Sequence, residues 1–170
     1  MAKEFNCTTQ INAIPAQVWA AMVDPDQFAH WMPGFVRMEQ ATPGPLQAGS
    51  IFRETRKMFG HESTEEFEVI ALEPEVRMEL RVDGSKGTTG KGMFHFVHTL
   101  HPQGDATLVT WTTRVEMPGW FAKAMGWLFA GMFKSATAKD LAALKAWVEK
   151  AAGGADANAN ASANANANAK

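Results

Sequence analysis

Residues 76–83 read Val-Arg-Met-Glu-Leu-Arg-Val-Asp, so that apolar and charged side chains alternate along the whole run. Successive side chains of a β-strand point to opposite faces of its sheet, and strict alternation is therefore typical of a strand with one buried face. The phase places Val76, Met78, Leu80 and Val82 on the inner face. The run thus predicts a sheet that is apolar on one side and solvated on the other.

The same alternation continues in two later runs, at residues 91–101 and 106–117. Each run places most of its large apolar side chains in one phase, which again predicts strands with a buried face. One histidine and one threonine share the apolar phase. The predicted inner face therefore consists of Phe94, Phe96, His98 and Leu100 in the first run and of Val109, Trp111, Thr113, Val115 and Met117 in the second.

Four more strands are predicted ahead of these, at residues 4–12, 35–41, 50–59 and 62–72. Two short helices separate the first two strands; one begins at Pro15 and the other covers Pro25 to Trp31. The other breaks are short and rich in turn-forming residues: Pro43-Gly44-Pro45, Gly60, Glu73-Pro74, the glycine-rich stretch 84–92 and Gln103-Gly104-Asp105. Short turns between consecutive strands predict an antiparallel meander.

A long helix over residues 119–151 is predicted to cover the inner face of this sheet. Its second half carries Leu141, Leu144 and Val148 as an apolar stripe. Its first half, WFAKAMGWLFAGMF, is apolar nearly all round but is shorter than the ~20 residues of a bilayer span. We expect this half to roof a cavity. A homodimer contact and a transient membrane contact are the alternatives, and no stable membrane insertion is expected.

The end of the chain differs in composition from the rest. Residues 153–170 form an Ala/Asn repeat without a large apolar side chain, and such a segment buries too little surface to offset its ordering entropy. Gly153-Gly154 is expected to end the helix. The sequence therefore predicts one domain over residues 1–152 and a disordered tail over 153–170.

The overall composition excludes several functional classes. A formal net charge of −2 argues against nucleic-acid binding, which needs clustered Lys and Arg. Cys7 is the only cysteine, so an intramolecular disulfide is impossible, and the N-terminal residues lack the apolar core of a signal peptide. We expect a cytoplasmic protein that needs no cofactor.

Three short patterns carry a family resemblance. They are Ile11-Asn12-Ala13-Ile14-Pro15-Ala16-Gln17-Val18-Trp19 followed by Asp24 and Trp31-Met32-Pro33; Val69-Ile70-Ala71-Leu72-Glu73-Pro74; and Leu141-Ala142-Ala143-Leu144-Lys145-Ala146-Trp147-Val148-Glu149. Together with the order of the predicted elements, they resemble the START-like, or SRPBCC, superfamily and its polyketide cyclase/dehydrase and lipid-transport branch. The resemblance extends over about residues 4–151.

This resemblance implies an α+β helix-grip fold, in which a curved antiparallel sheet of about seven strands wraps around the C-terminal helix and leaves a cavity. Members bind lipids, polyketides, hormones or other apolar molecules, and a minority catalyse reactions on them. The shared patterns are packing and turn positions. No catalytic set is therefore carried over to this chain.

The three histidines of one predicted strand do not form a metal site. His95 and His101 share a face but lie roughly 20 Å apart at about 3.3 Å per residue, whereas zinc–nitrogen bonds are about 2.1 Å. His98 lies on the apolar face. There it is either a core histidine with a hydrogen-bond partner, a ligand contact, or an acid or base near neutral pH.

The strand at residues 50–59 has no clear phase. If Phe52 points inward, Glu54 and Arg56 do too, and they form a charged pair able to hold a polar ligand group. If Ile51 points inward, Arg53 and Thr55 take that place. A third interpretation is an edge-like strand with both charges solvated.

The leading hypothesis is non-catalytic binding or transport of a small hydrophobic molecule between the sheet and the C-terminal helix. The alternative is a cyclase, dehydratase or hydrolase that uses His98 as acid or base, and a third hypothesis is an interaction or stress-response module without a ligand. The predicted ligand-binding residues are Phe52, Glu54, Arg56, Phe67, Met78, Phe94, Phe96, His98, Trp111, Thr113 and Met125. Glu65 shares the phase of Phe67 and is expected at the rim.

Overall fold

The computed structural model of the chain describes the backbone of residues 2–58, 60–117, 119 and 121–167 and the side chains of 2–57, 60–117, 119 and 131–154. Its elements follow the predicted order of one strand, two short helices, six strands and a long helix. They are β1 (Ala2–Ile11), α1 (Pro15–Val23), α2 (Pro25–Trp31), β2 (Phe35–Gln40), β3 (Ile51–Met58), β4 (His61–Glu73), β5 (Arg77–Asp83), β6 (Met93–Gln103), β7 (Ala106–Glu116) and α3 (Phe121–Ala167), with a single 3-10 turn at Gly84–Lys86.

The seven strands form one antiparallel sheet in the order β1-β7-β6-β5-β4-β3-β2. Strands β2 to β7 are a meander, and β1 pairs with β7 at the far edge. The α+β helix-grip fold is therefore confirmed. The register aligns the predicted inner residues across neighbouring strands, so that Met78, His98 and Trp111 lie side by side.

Each of the two short helices begins at a proline. Pro15 and Pro25 occupy the first turns of α1 and α2, where a missing N–H costs no helical hydrogen bond. Between them, the side chain of Asp24 accepts a hydrogen bond from the backbone N–H of Asp26 and caps α2. Trp31 then donates from Nε1 to the carbonyl of Ala21 at 2.9 Å, which fastens α2 to α1 beside the sheet.

The second half of α3 packs against the first strand and the two short helices. The predicted stripe of Leu141, Leu144 and Val148 is buried, as are Ile11 and Val109 in the same apolar cluster. Burial of such side chains stabilises a fold by about 1.5–3 kcal/mol each. This contact holds α3 across the concave face of the sheet.

Most predicted boundaries differ from the structure by one or two residues, and two further differences change the interpretation. Val76 is not an inner residue of β5; it precedes the strand and is 50% exposed. The turn after Pro74 takes it out of the alternating phase. The helix α3 also does not end at Gly153-Gly154 but continues to Ala167. Alanine has the strongest helix propensity, and the Ala-rich repeat lets the helical backbone continue past two glycines.

A bulge in β4 was not predicted. Val69 pairs with Leu80 and Ala71 with Glu79, which leaves Ile70 as an extra residue on β4. A bulge bends its strand and increases the local twist. The bulge also brings Leu72 opposite Met78.

Candidate functional site: a cavity between the sheet and the long helix

The concave face of the sheet and α3 do not fill the space between them. A cavity of about 210 Å³ remains, lined by residues of α1, α2, β2 to β7 and α3. Its largest lining side chains are aromatic or long and apolar: Phe28, Trp31, Phe52, Phe67, Met78, Phe94, Phe96, Trp111 and Phe133. A surface of this kind suits an apolar ligand.

Eight phenylalanine and tryptophan rings line the cavity. Phe52 and Phe67 are cross-strand neighbours that stack in parallel, with ring centroids 5.0 Å apart. Phe96 continues this group at 6.0 Å from Phe67. On the helix side, Phe133 lies 5.6 Å from Phe94. These rings present large rigid apolar surfaces at a small cost in side-chain entropy.

The structure brings the predicted ligand-binding residues together around this cavity. The lining includes Phe52, Glu54, Arg56, Phe67, Met78, Phe94, Phe96, His98, Trp111 and Thr113. The side chain of Met125 lies outside the described part of the chain. Their role in binding a ligand stays a prediction.

Other lining residues were not predicted. Most of them lie on the short helices, on β2 and on α3, and they include Met22, Phe28, Trp31, Met38, Leu46, Phe133 and Asp140. The prolines at 15 and 25 predicted the two short helices, but nothing in the sequence indicated that these helices reach the cavity. Asp140 lies off the predicted apolar stripe of α3, a position typical of a solvent-exposed residue.

Strand β3 adopts the phase in which Phe52, Glu54 and Arg56 point inward. Phe52 is buried, and the side chains of Glu54 and Arg56 are only 11% and 19% exposed. Arg53 is exposed on the outer face and pairs with Glu66. The interpretation of β3 as an edge-like strand with two solvated charges is therefore wrong, because α3 covers the inner face of this strand.

The sequence suggested an ion pair between Arg56 and Glu54, but the main partner of Arg56 is a different carboxylate. Arg56 binds Asp140 of α3 in a bidentate manner, with both N–H···O distances at 2.8 Å. Its Nε and Nη2 also donate to the carbonyl of Pro33, at 3.2 and 2.8 Å. Arg56 thus joins β3, α3 and the turn after α2 at one end of the cavity.

The carboxyl of Glu54 is left beside this network without a close partner. Its Oε1 lies 3.8 Å from Nε of Arg56, which is beyond hydrogen-bond distance. Burial raises the pKa of Glu54 to about 7, because desolvation and the Asp140 carboxylate outweigh the opposing effect of the Arg56 guanidinium. Glu54 therefore exchanges a proton near neutral pH.

Glu65 lies directly opposite Glu54 on β4 and also lines the cavity. Its Oε1 accepts hydrogen bonds from the backbone N–H and the hydroxyl of Thr89, at 2.8 and 2.7 Å. These bonds attach the glycine-rich loop 84–92, which follows β5, to β4. The prediction that Glu65 reaches the cavity rim thus agrees with its position.

His98 and Trp111 are cross-strand neighbours deeper in the cavity wall. Their rings stack with centroids 4.5 Å apart. Burial lowers the pKa of His98 to about 3, and no charged side chain opposes this effect. His98 is therefore neutral at physiological pH. Nδ1 of His98 and Nε1 of Trp111 are buried without a hydrogen-bond partner among the described residues.

No group of three or more metal-ligating side chains occurs within residues 2–57, 60–117, 119 and 131–154. Among the described helices, none is long and apolar enough to cross a membrane.

The sequence model of the family described as polyketide cyclase/dehydrase and lipid transport matches residues 3–149 of the 170. The chain belongs to this family. The resemblance of the three local patterns to the SRPBCC superfamily is thereby confirmed. No curated protein sequence matches the chain significantly.

Solved structures of this family's fold superpose on most of the chain. The ZhuI aromatase/cyclase of a Streptomyces species has a TM-score of 0.73 at 15% identity, over 88% of this chain and 95% of that one. A protein of Thermus thermophilus gives 0.71 at 17% identity, over 88% and 99%. Major latex-like protein 151 of Panax ginseng gives 0.65 at 13% identity, over 85% and 96%. At these identities the likeness shows a shared fold.

Proposed function

We propose that this family member binds a small hydrophobic molecule in the cavity between the sheet and α3. The observation that carries the proposal is the cavity itself, at about 210 Å³ among aromatic side chains. Protein interiors are normally packed as densely as organic crystals. The aromatic side chains around this space therefore leave apolar surface that a ligand can cover, and burial of apolar surface favours binding.

The neutral dye N-phenyl-1-naphthylamine tests this proposal, because its fluorescence rises in an apolar site. We expect saturable binding at micromolar concentration. Ala136 lines the cavity from α3, whereas Ala138 is exposed two residues away. Ala136→Trp fills the cavity and should weaken dye binding at least tenfold, while the matched Ala138→Trp should leave it unchanged.

Two outcomes contradict the proposal. If the wild-type protein binds no dye at micromolar concentration, the cavity is not a ligand site. If Ala136→Trp binds as well as wild type while its circular dichroism shows an intact fold, the dye binds elsewhere.

Catalysis in the same cavity is the second candidate, and Glu54 is the observation that favours it. A buried carboxyl that titrates near neutral pH suits proton transfer, which typically contributes 10²–10⁴-fold to a rate. His98, the acid or base suggested from the sequence, is a weaker candidate, because burial holds its pKa at about 3 without a carboxylate to restore its basicity.

Proton exchange at carbon tests this candidate without knowledge of the substrate. Neutral 2-tetralone carries exchangeable hydrogens beside its carbonyl, and NMR in D₂O measures their loss. If Glu54 acts as a base, wild-type protein accelerates this exchange and Glu54→Gln does not. Equal rates for the two proteins would eliminate Glu54 as the base.

A further inference from the structure

The wall of the cavity changes from aromatic to polar along strands β3 and β4. Their inward side chains pair in three successive rows that all line the cavity: Phe52 with Phe67, Glu54 with Glu65, and Arg56 with Ser63. Successive rows are about 6.6 Å apart, because a strand advances about 3.3 Å per residue. The rows of Glu54 and Arg56, together with Asp140 of α3, form the polar end of the cavity.

Most of the charged groups described at the polar end are bonded within the protein. Arg56 donates to Asp140 and to the carbonyl of Pro33, so that the two charges of this pair satisfy each other. Glu65 accepts two hydrogen bonds from Thr89 through Oε1, and its Oε2 is fully buried. These groups hold the elements of the protein together and are not directed at a ligand.

Glu54 differs from the other charged residues of the polar end. Its side chain lines the cavity and keeps 11% of its surface accessible. None of the described residues donates a hydrogen bond to its carboxyl, since Nε of Arg56 is 3.8 Å from Oε1. Buried polar groups nearly always have a partner, because an unpartnered one is costly. A ligand group that bonds Glu54 therefore gains free energy.

The side chains of α3 that lie outside the described part are remote from this carboxyl. Among residues 121–130, Lys123 and Trp127 carry a hydrogen-bond donor, and both precede Asp140 by at least 13 residues in the same helix. At 1.5 Å per residue, this is about 20 Å along the helix axis. Glu54 lies close enough to Asp140 for the two carboxyls to interact electrostatically. A protein donor for Glu54 is therefore not expected from that segment.

We infer that the cavity binds an amphipathic alcohol or phenol, with its apolar body against the aromatic rings and its hydroxyl hydrogen-bonded to the Glu54 carboxyl. The inference rests on the proposed binding function and specifies the class and orientation of the ligand. A hydroxyl donates to a carboxylate and accepts from a carboxylic acid, so that it bonds both protonation states of Glu54. A ligand ammonium would instead lie close to the like charge of Arg56.

Four probes share one naphthalene body and differ at the end of a two-carbon chain: 2-ethylnaphthalene, 2-naphthaleneethanol, 2-(2-methoxyethyl)naphthalene and 2-(2-naphthyl)ethylamine. Their affinities are measured at pH 8 by displacement of N-phenyl-1-naphthylamine. Glu54 is mainly ionised at this pH, and a carboxylate only accepts hydrogen bonds. The alcohol should therefore bind at least fivefold more tightly than its methyl ether, although the ether is more hydrophobic, and more tightly than the amine.

The variant Glu54→Met replaces the carboxyl by an apolar group of similar length. It should weaken binding of the alcohol at least fivefold, while the hydrocarbon and the ether bind at least half as tightly as to wild type. Each probe is compared with itself, so that differences in hydrophobicity cancel. Glu54→Gln keeps an acceptor oxygen and should bind the alcohol within threefold of wild type. Glu39→Met removes an exposed carboxyl from the outer face of β2 and, as the matched control, should leave all four affinities unchanged.

The results that contradict the inference differ from those that contradict the proposed function. If the dye does not bind, the proposed function fails. If the dye and the hydrocarbon bind but the alcohol binds no more tightly than the ether to the wild-type protein, the role of Glu54 is wrong, even if Glu54→Met fails to fold. An amine that binds more tightly than the alcohol overturns the assignment to alcohols and phenols. Equal losses of alcohol and hydrocarbon in a folded Glu54→Met would show a change of cavity shape and no hydrogen bond to Glu54.

Discussion

Glu54 and Arg56 lie two residues apart on β3 and both face the cavity, yet their charged groups do not form a close pair. Arg56 extends to Asp140, and this bidentate contact has better geometry than the 3.8 Å approach to Glu54. Burial is then the largest effect on the carboxyl of Glu54 and raises its pKa to about 7. A single competing partner thus changes Glu54 from a salt-bridge residue into a group that titrates at neutral pH.

The raised pKa of Glu54 predicts a pH-dependent stability. The folded protein holds this proton up to about pH 7, whereas the unfolded chain releases it near 4.5. The associated stability is therefore fully present below pH 4.5 and is lost as pH rises through 7. Glu54→Gln should remove this loss and raise the free energy of unfolding at pH 8 by roughly 2–3 kcal/mol relative to wild type.

Urea unfolding of both proteins at pH 5 and pH 8 measures this difference. Glu62→Gln removes an exposed carboxyl from the outer face of the neighbouring strand and serves as the control. If Glu54→Gln and wild type show the same difference in stability between pH 5 and pH 8, Glu54 does not titrate between these values in the folded protein.

Among the elements, β3 and α3 are joined by the Arg56–Asp140 pair at the end of the cavity. The side chain of Asp140 is 14% exposed, so that the pair is largely desolvated. A buried pair adds little net stability by itself, but removal of one partner leaves an uncompensated charge. This contact therefore positions α3 over the sheet without dominating the stability of the fold.

Asp140→Ala should lower the free energy of unfolding by about 3 kcal/mol, because the guanidinium of Arg56 stays buried without its carboxylate. Lys139→Ala, at the adjacent exposed position, is the control and should change stability by less than about 0.5 kcal/mol. The double variant Arg56→Met/Asp140→Leu should recover most of the loss. Chemical denaturation measures all three, and equal stability of the two single variants would show that the pair is not desolvated.

At the level of the whole molecule, the fold consists of one sheet held closed by the second half of α3. The buried residues Leu141, Leu144 and Val148 precede Gly153, and the described side chains of α3 after Val148 are mostly exposed. The division into a domain of residues 1–152 and a separate tail of 153–170 remains a prediction. Its physical basis is that the Ala/Asn repeat has no large apolar side chain.

Removal of residues 153–170 should therefore leave the thermal midpoint within about 2 °C of the full chain, because this segment has no large apolar side chain to pack. A truncation after residue 143 also removes Leu144 and Val148 and should abolish cooperative unfolding. Differential scanning calorimetry compares the two. A midpoint many degrees lower for the shorter deletion would show that the tail packs against the domain.

Most of the fold follows from local patterns in the chain. Alternation at residues 77–83, and the spacing of Phe94, Phe96 and Leu100, indicate which side chains face inward, because the period of two belongs to the strand itself. The prolines at 15 and 25 set the starts of α1 and α2 in the same local way. Together with the short turns, these signals predicted the meander of β2 to β7 and the inward positions of Phe94, Phe96 and Trp111, but not the pairing of β1 with β7.

Features that depend on long-range contacts could not be predicted. The phase of β3 was ambiguous because both faces of this strand carry charge, and only the covering helix makes one face the inner one. Asp140 resembles a solvated residue of an amphipathic helix until α3 crosses β3 and places it against Arg56, 84 residues away in the chain. The partners and pKa values of the cavity's charged groups depend on this crossing. Burial and the distances between charges are set by residues far apart in the chain, so that no local sequence pattern indicates them.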